Sequence, residues 1–198
     1  GYEHFMLKEI NEQPTALTNT ISPRIKDGMP NLEECGMTVE KLAGYNNIFV
    51  VACGTAMHAG LVGKYVIEQI GRIPVTVDVA SEFRYRNPII TDKDLVIVVS
   101  QSGETADTLE ALKLSKAKGA DTLAIVNVVG SSIAREADMV IYTHAGPEIS
   151  VASTKAYSVQ VSVFYLFAFE LAFARGAISE EECRRLTAEL EKIPTMLD

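Results

Sequence analysis

Apolar and polar residues fall into blocks along this chain, and from residue 47 onward the blocks follow a regular order. Short apolar runs occupy 47–52 (Asn47-Ile48-Phe49-Val50-Val51-Ala52), 74–79, 95–99, 122–126 and 139–143. They are rich in valine and isoleucine and are bounded by turn residues, which predicts buried β-strands. Between them lie stretches with helical spacing: 55–70 closed by Gly71, a short turn or helix over 80–86, 105–118 closed by Gly119, and a short helix at 131–136. After the fifth run a long helix is predicted from about Ser153 to Arg175, closed by Gly176. A last helix covers 179–192, with Pro194 marking its end. Ahead of the first run, 4–20 reads as a helix despite Pro14. Residues 21–37, with Pro23, Gly28, Pro30 and Gly36, read as a loop wrapping the surface.

Five apolar strands separated by helices predict a parallel sheet covered on both faces, a three-layer α/β/α sandwich. Right-handed crossovers make the sheet doubly wound, and a flavodoxin-like strand order 2-1-3-4-5 is expected. The chain then divides into an N-terminal helix and wrapping segment (1–40), an α/β domain (41–178) and a C-terminal helix leading into a linker (179–198). In this order a crevice opens where the first and third strands diverge, at their C-terminal ends. The first strand ends at Cys53-Gly54-Thr55 and the third at Ser100-Gln101-Ser102.

The turn Ser100-Gln101-Ser102-Gly103-Glu104-Thr105 carries the densest chemistry. It joins an apolar strand to a helix whose first N–H groups have no internal partners and lie at the positive end of the helix dipole. Such a terminus holds phosphate without needing lysine or arginine. The plainer reading is that Ser102 caps the helix while Gly103 relieves a tight turn. A cap needs one hydroxyl, however, and the turn offers three together with Gln101. Glu104 would repel a bound phosphate, so it is expected to point outward. In the turn after the first strand, Gly54 lets the backbone approach a ligand and Thr55 offers a hydroxyl. Cys53 reads as a wall residue, because His58 on the following helix is poorly placed to act as its base.

Two further positions are possible site residues. Glu148 precedes the long helix, which Ser153 or Thr154 can cap. Lys155 falls in its first turn, where a cation opposes the dipole and calls for a partner anion, either a ligand or Glu148; the alternative is a solvated side chain. Arg84 and Arg86 read as an interface or as ion pairs with Glu82. His4 and His144 are isolated, so no metal site is assigned. Neither a GxGxxG nor a Walker sequence is present, and no cofactor is expected.

Composition narrows the class. The 198 residues are 47% hydrophobic and 22% charged, ordinary for a globular domain, and the net charge of −8 argues against a nucleic-acid surface. An anionic ligand must therefore be held by local donors. Cys35, Cys53 and Cys183 lack disulfide or zinc spacing, which points to a reduced, cytoplasmic setting. The apolar stretch Val159–Ala174 contains Gln160, Ser162 and Glu170 and reads as a buried helix, not a membrane span. The opening Gly1 is expected of a processed or excised segment.

Five motifs together resemble the sugar isomerase (SIS) domain family: CGT at 53–55, ASEFRYR at 80–86, SQSGETADT at 100–108, NVVGSS at 127–132 and EISVASTKAY at 148–157. HFMLKEINEQP at 4–14 extends the likeness to nearly the whole chain. Within that family the chain resembles the first of two successive SIS subdomains of an isomerising, glutamine-dependent aminotransferase. The resemblance implies a site for fructose 6-phosphate or glucosamine 6-phosphate. Ser100, Gln101, Ser102 and Thr105 would hold the phosphate, while Cys53, Gly54, Thr55, Val151 and Ser153 line the sugar. Ala56 stands where the family commonly has serine. The implied partners are a glutaminase domain, a second SIS subdomain and a second copy of the chain. The glutaminase nucleophile and the isomerase acid/base residues have no counterpart here, so no catalytic residue is assigned. A stand-alone sugar-phosphate sensor or a small aldose–ketose isomerase remain as alternatives. The isomerase would have to use Glu148 or His58.

Overall fold

A computed structural model describes residues 1–198. The apolar runs form β1 (Asn47–Ala52), β2 (Val75–Val79), β3 (Asp94–Ser100), β4 (Asp121–Val126) and β5 (Met139–Tyr142). They make one parallel sheet in the order β2-β1-β3-β4-β5, the expected topology. The central strand β3 is buried at every position, as a strand covered on both faces must be. Ala52 lies opposite both Val79 and Val99, so β1 and β3 end at the same level.

Nine α-helices cover the sheet and its edges. On one face Ile48, Val50, Ile97, Val99 and Ile125 pack under α4 (Thr55–Val66) and α8 (Lys155–Ala174). On the other, Val51, Val96, Val98 and Val126 pack under α5 (Ala80–Phe83), α6 (Ala106–Ala117) and α7 (Ser132–Glu136). Alternate residues of a strand point to opposite faces, so within each strand the two sets occupy alternating positions. Helix α8 alone is long and apolar enough to cross a membrane, and it is instead buried against the sheet, as the sequence led us to expect.

Several boundaries differ from the sequence reading. The helix expected over 4–20 is two, α1 (Phe5–Asn11) and α2 (Gln13–Ile21). Pro14 stands at the second position of α2, where its missing N–H has no intrahelical partner to lose. The loop 21–37 contains a small hairpin, Ile25–Lys26 against Met29–Pro30, turned by Asp27-Gly28 with both φ angles positive. A short helix, α3 (Val39–Gly44), follows. It was not expected, and Thr38 caps it through the Lys41 N–H. The last helix, α9 (Glu180–Met196), does not stop before Pro194 but runs through it, with the proline ring buried. So close to the C-terminus the ring removes a single backbone bond.

The wrapping segment is tied to α8 by one buried carboxyl. Glu170, 7% exposed, accepts the Leu32 N–H at 3.1 Å. Burial, with a smaller contribution from Glu33, pushes its pKa up to about 8. The folded chain therefore keeps a proton that the unfolded chain loses near the ordinary carboxylate value of 4.5. Between those values the folded state binds more protons, so stability falls as pH rises through that window and levels off above it. Glu170→Gln, which retains an acceptor for Leu32, should flatten this dependence. It should also raise the unfolding free energy at pH 7.5 by about 2 kcal/mol. Denaturant titrations at pH 5 and 7.5 measure both effects, and an unchanged slope with pH would refute the assignment.

Candidate functional site

Two hollows stand out on the surface. The larger, about 550 Å³, is an apolar groove of α2, α8 and α9, lined by residues such as Leu17, Ile21, Tyr165, Leu190 and Pro194. The smaller, about 320 Å³, lies at the C-terminal edge of the sheet beyond β1 and β3, and its wall is mostly polar. Of these two the second matches a hydrophilic ligand; a further polar hollow of about 380 Å³, lined by Thr18, Asn19, Ser22, Pro23 and His144, includes none of the strand-end turns.

The wall comes from two polar turns and the approach to α8. Cys53, Thr55 and Ala56 come from the turn after β1 and the start of α4; Val99, Ser100, Gln101, Ser102 and Thr105 from the end of β3 and the turn that follows. Glu148, Ser150, Ser153 and Gln160 come from the approach to α8 and its second turn. Gly54 has φ 59° and ψ −135°, a conformation that glycine alone adopts readily, and it turns the chain from β1 into α4. Gly103 has φ 68°, and a Cβ there would lie 2.0 Å from Ser131 Oγ. The turn thus needs glycine for both conformation and space.

This turn is braced from outside the cavity. The Asn127 N–H donates to the Gln101 carbonyl and the Ile133 N–H to the Gly103 carbonyl. Within the turn, Ser100 Oγ accepts the Gly103 N–H at 3.0 Å and lies 2.9 Å from Thr105 Oγ1. Ser102 Oγ accepts the Glu104 N–H, so Ser102 does not cap α6. Glu104 points away from the cavity, as expected, and accepts the Ser132 N–H at 2.8 Å at the start of α7. The Ser132 bonds hold its carboxyl below the usual carboxylate range.

The decisive feature is which backbone amides are left over. Neither α4 nor α6 has a side-chain cap. The N–H groups of Gln101, Ser102, Thr105 and Ala106, and that of Thr55, donate to no protein acceptor. All but Ala106, the residue after Thr105, line the cavity, at the positive ends of two helices that leave the sheet on opposite faces. Helix α8 is different: Glu148 Oε2 accepts the Thr154 N–H at 3.1 Å and the Ala156 N–H at 3.0 Å. Its terminus is occupied by a carboxylate, whereas those of α4 and α6 remain open to an anion.

Not all the expected residues meet here. Cys53, Thr55, Ser100, Gln101, Ser102, Thr105, Ser153 and Glu148 line the cavity, and Gly54 shapes the turn between two of them. Val151 is fully exposed and lies outside the wall. Lys155 is neither a solvated side chain nor a partner of Glu148. It is 3% exposed and bonded to Glu12 Oε2 at 2.5 Å, away from the cavity wall. Its ammonium holds Glu12 below the usual carboxylate range. Glu9, also buried, accepts the Ile149 N–H at 2.6 Å and the Ser150 N–H at 3.3 Å. The N-terminal helices thus anchor the 148–155 segment by two carboxylates from about 140 residues upstream. Arg86 pairs with Glu82 and Asp78, as the sequence allowed, and not with the cavity. The sequence reading missed Ser150 and Gln160.

The profile of the SIS domain matches residues 41–169, well over half of the chain and all of the cavity wall. This chain belongs to the SIS domain family. Relatives include the glutamine–fructose-6-phosphate aminotransferases (isomerizing) of Caldanaerobacter subterraneus, 57% identical, and Clostridium tetani, 55% identical. Each match covers 98% of this chain and 32% of the relative, so the chain spans about a third of their length. Among solved structures, the C-terminal domain of glucosamine-fructose-6-phosphate aminotransferase from Francisella tularensis superposes with a TM-score of 0.93 at 41% identity. That match covers 98% of this chain and 55% of that one. The SIS core supplies β1 to most of α8. Helices α1, α2 and α9 lie outside the matched residues, yet Glu9 and Glu12 still brace the site.

Two substitutions test this architecture. Gly103→Ala should cost about 3 kcal/mol in a urea titration, and Ser131→Gly in the same chain should recover part of it by removing the clash. Glu12→Gln leaves the Lys155 ammonium buried without its partner and should cost about 2 kcal/mol. Adding Lys155→Met should return most of that loss, and additive costs would show that the pair is not coupled.

Proposed function

We propose that the SIS cavity binds a monophosphorylated hexose, fructose 6-phosphate or glucosamine 6-phosphate. On this reading the chain is the sugar-phosphate-binding part of an isomerising glutamine–fructose-6-phosphate aminotransferase of amino-sugar synthesis. One observation carries the reading: residues with unpaired amides at the starts of α4 and α6 border a hydroxyl-lined cavity at the sheet's C-terminal edge. The phosphate accepts from the amides and hydroxyls of the 100–105 turn, where the dipole of α6 stabilises its charge. The sugar lies toward Cys53, Thr55 and Ser153. The names of relatives up to 57% identical support the choice of substrate and reaction.

The division of labour follows from what the cavity lacks. Glu148, its only carboxylate, already accepts two backbone amides, and exposed His58 is not part of the wall. Glu148 is tied to the start of α8 through Oε2 and His58 lies off the wall, which disfavours a self-contained aldose–ketose isomerase. The cavity instead fixes the substrate by its phosphate, while acid/base groups come from elsewhere in a longer, cytoplasmic chain. Its partners are then a glutaminase domain, a second SIS subdomain and a second copy of the protein.

Thermal unfolding with fructose 6-phosphate, glucosamine 6-phosphate and inorganic phosphate tests the reading. At about 100 times the dissociation constant each ligand should add about 2.7 kcal/mol of stability. Ser102→Ala should weaken all three, because it alters the phosphate seat they share. Stabilisation that survives Ser102→Ala undiminished would place the ligand somewhere else.

A further inference from the structure

Gln160 is the one wall residue with a buried side-chain polar atom that has no hydrogen-bond partner. It lies on the second turn of α8, is 4% exposed, and makes no hydrogen bond to any protein group. Its Oε1 is almost wholly shielded from solvent and has no hydrogen-bond partner. Buried carboxamides in native proteins almost always find partners, so an idle one calls for a cause. Ser100 braces its turn, Glu148 caps α8 and Ser102 accepts from Glu104, while no other wall side chain has a polar atom buried without a partner. An isolated Gln160 would be better replaced by a residue of similar volume with no polar atoms. Its position supplies the cause, since it borders the same cavity as the open amides of the 100–105 turn.

The two sides of that cavity carry different chemistry. The α6 side brings backbone N–H groups at a helix terminus, suited to an anion. Helix α8 packs on the opposite face of the sheet, and Gln160 therefore reaches the cavity from the far side. A carboxamide has no charge and offers both donors and an acceptor, so it adds little for a bare phosphate but matches a sugar hydroxyl, which also donates and accepts.

From this arrangement we infer that Gln160 is a specificity-determining residue that reads a hydroxyl of the hexose chain while the 100–105 turn holds the phosphate. The inference rests on the sugar-phosphate reading above and adds the group that separates a phosphorylated polyol from phosphate itself. A small turn of the carboxamide toward the cavity on binding gives it the hydroxyl as a partner. Without that hydroxyl the group stays buried and unpaired, which is how a polar pocket rejects a ligand lacking the matching group.

Calorimetric titration of the protein with fructose 6-phosphate and with inorganic phosphate tests this, comparing wild type with Gln160→Met and Gln160→Leu. Both variants keep the volume and remove the hydrogen bonds, so the unliganded protein should melt no lower than wild type. The dissociation constant for fructose 6-phosphate should rise about tenfold, the loss of one good hydrogen bond. That for inorganic phosphate should stay within about twofold. Equal weakening of both ligands would make Gln160 merely structural, and unchanged fructose 6-phosphate binding would remove it from recognition; either result overturns the inference. If wild type binds phosphate but not the sugar phosphate, the seat stands and the hydroxyl-reading role falls. If it binds neither, the site reading falls, and this inference with it.

Discussion

Backbone amides that the fold leaves without acceptors are the constraint on which this structure turns. A parallel sheet needs a crossover helix after each strand, and each helix begins with N–H groups that the helix itself cannot satisfy. In this chain those groups are treated selectively. Thr38 caps α3, Ser179 caps α9, Glu148 caps α8 and Glu104 serves the start of α7. Helices α1, α2, α4, α5 and α6 have no side-chain cap, and of these α4 and α6 begin where adjacent strands β1 and β3 end. The strand order makes those ends neighbours and sends their helices to opposite faces, so the two open termini flank one cavity. Binding capacity thus follows from topology before any side chain is considered.

The same logic explains how a chain of net charge −8 can host an anion. Carboxylates near the site are committed to donors that face away from it or lie at its rim. Glu104 holds an amide of α7, Glu148 two amides of α8, Glu9 the amides of Ile149 and Ser150, and Glu12 the Lys155 ammonium. Each of these contacts also fixes a segment of the cavity wall. Charge neutralisation and positioning of the wall are therefore one set of interactions, and loosening the wall would also free negative charge beside the phosphate seat.

Much of this was legible in the sequence because it is local. Five valine- and isoleucine-rich runs announced the strands, and the Ser100–Thr105 turn declared itself by packing hydroxyls and a glycine between a strand and a helix. The sequence was silent where a contact joins distant segments. Nothing around Lys155 indicates that its partner is Glu12, and nothing around Glu9 indicates that it holds residues 149 and 150. Gln160 was hidden for a different reason: within the apolar run of α8 it reads as an interruption of a buried helix, and only the packing of α8 reveals that it borders the cavity. Short or irregular elements also escaped notice. Helix α3 is too short for periodicity to register, and Pro194 looked like a terminator although a proline in a last turn disturbs little. Val151 was placed on the sugar by resemblance, but its side chain is in solvent.

The most direct test of the central claim follows individual backbone amides by NMR as inorganic phosphate is added to the protein. The account predicts that the amides of Gln101, Ser102, Thr105, Ala106 and Thr55 shift furthest and saturate together, because they are the donors the fold leaves open beside one cavity. Amides that stay unmoved there, or saturable shifts confined to the apolar groove of α2, α8 and α9, would contradict it.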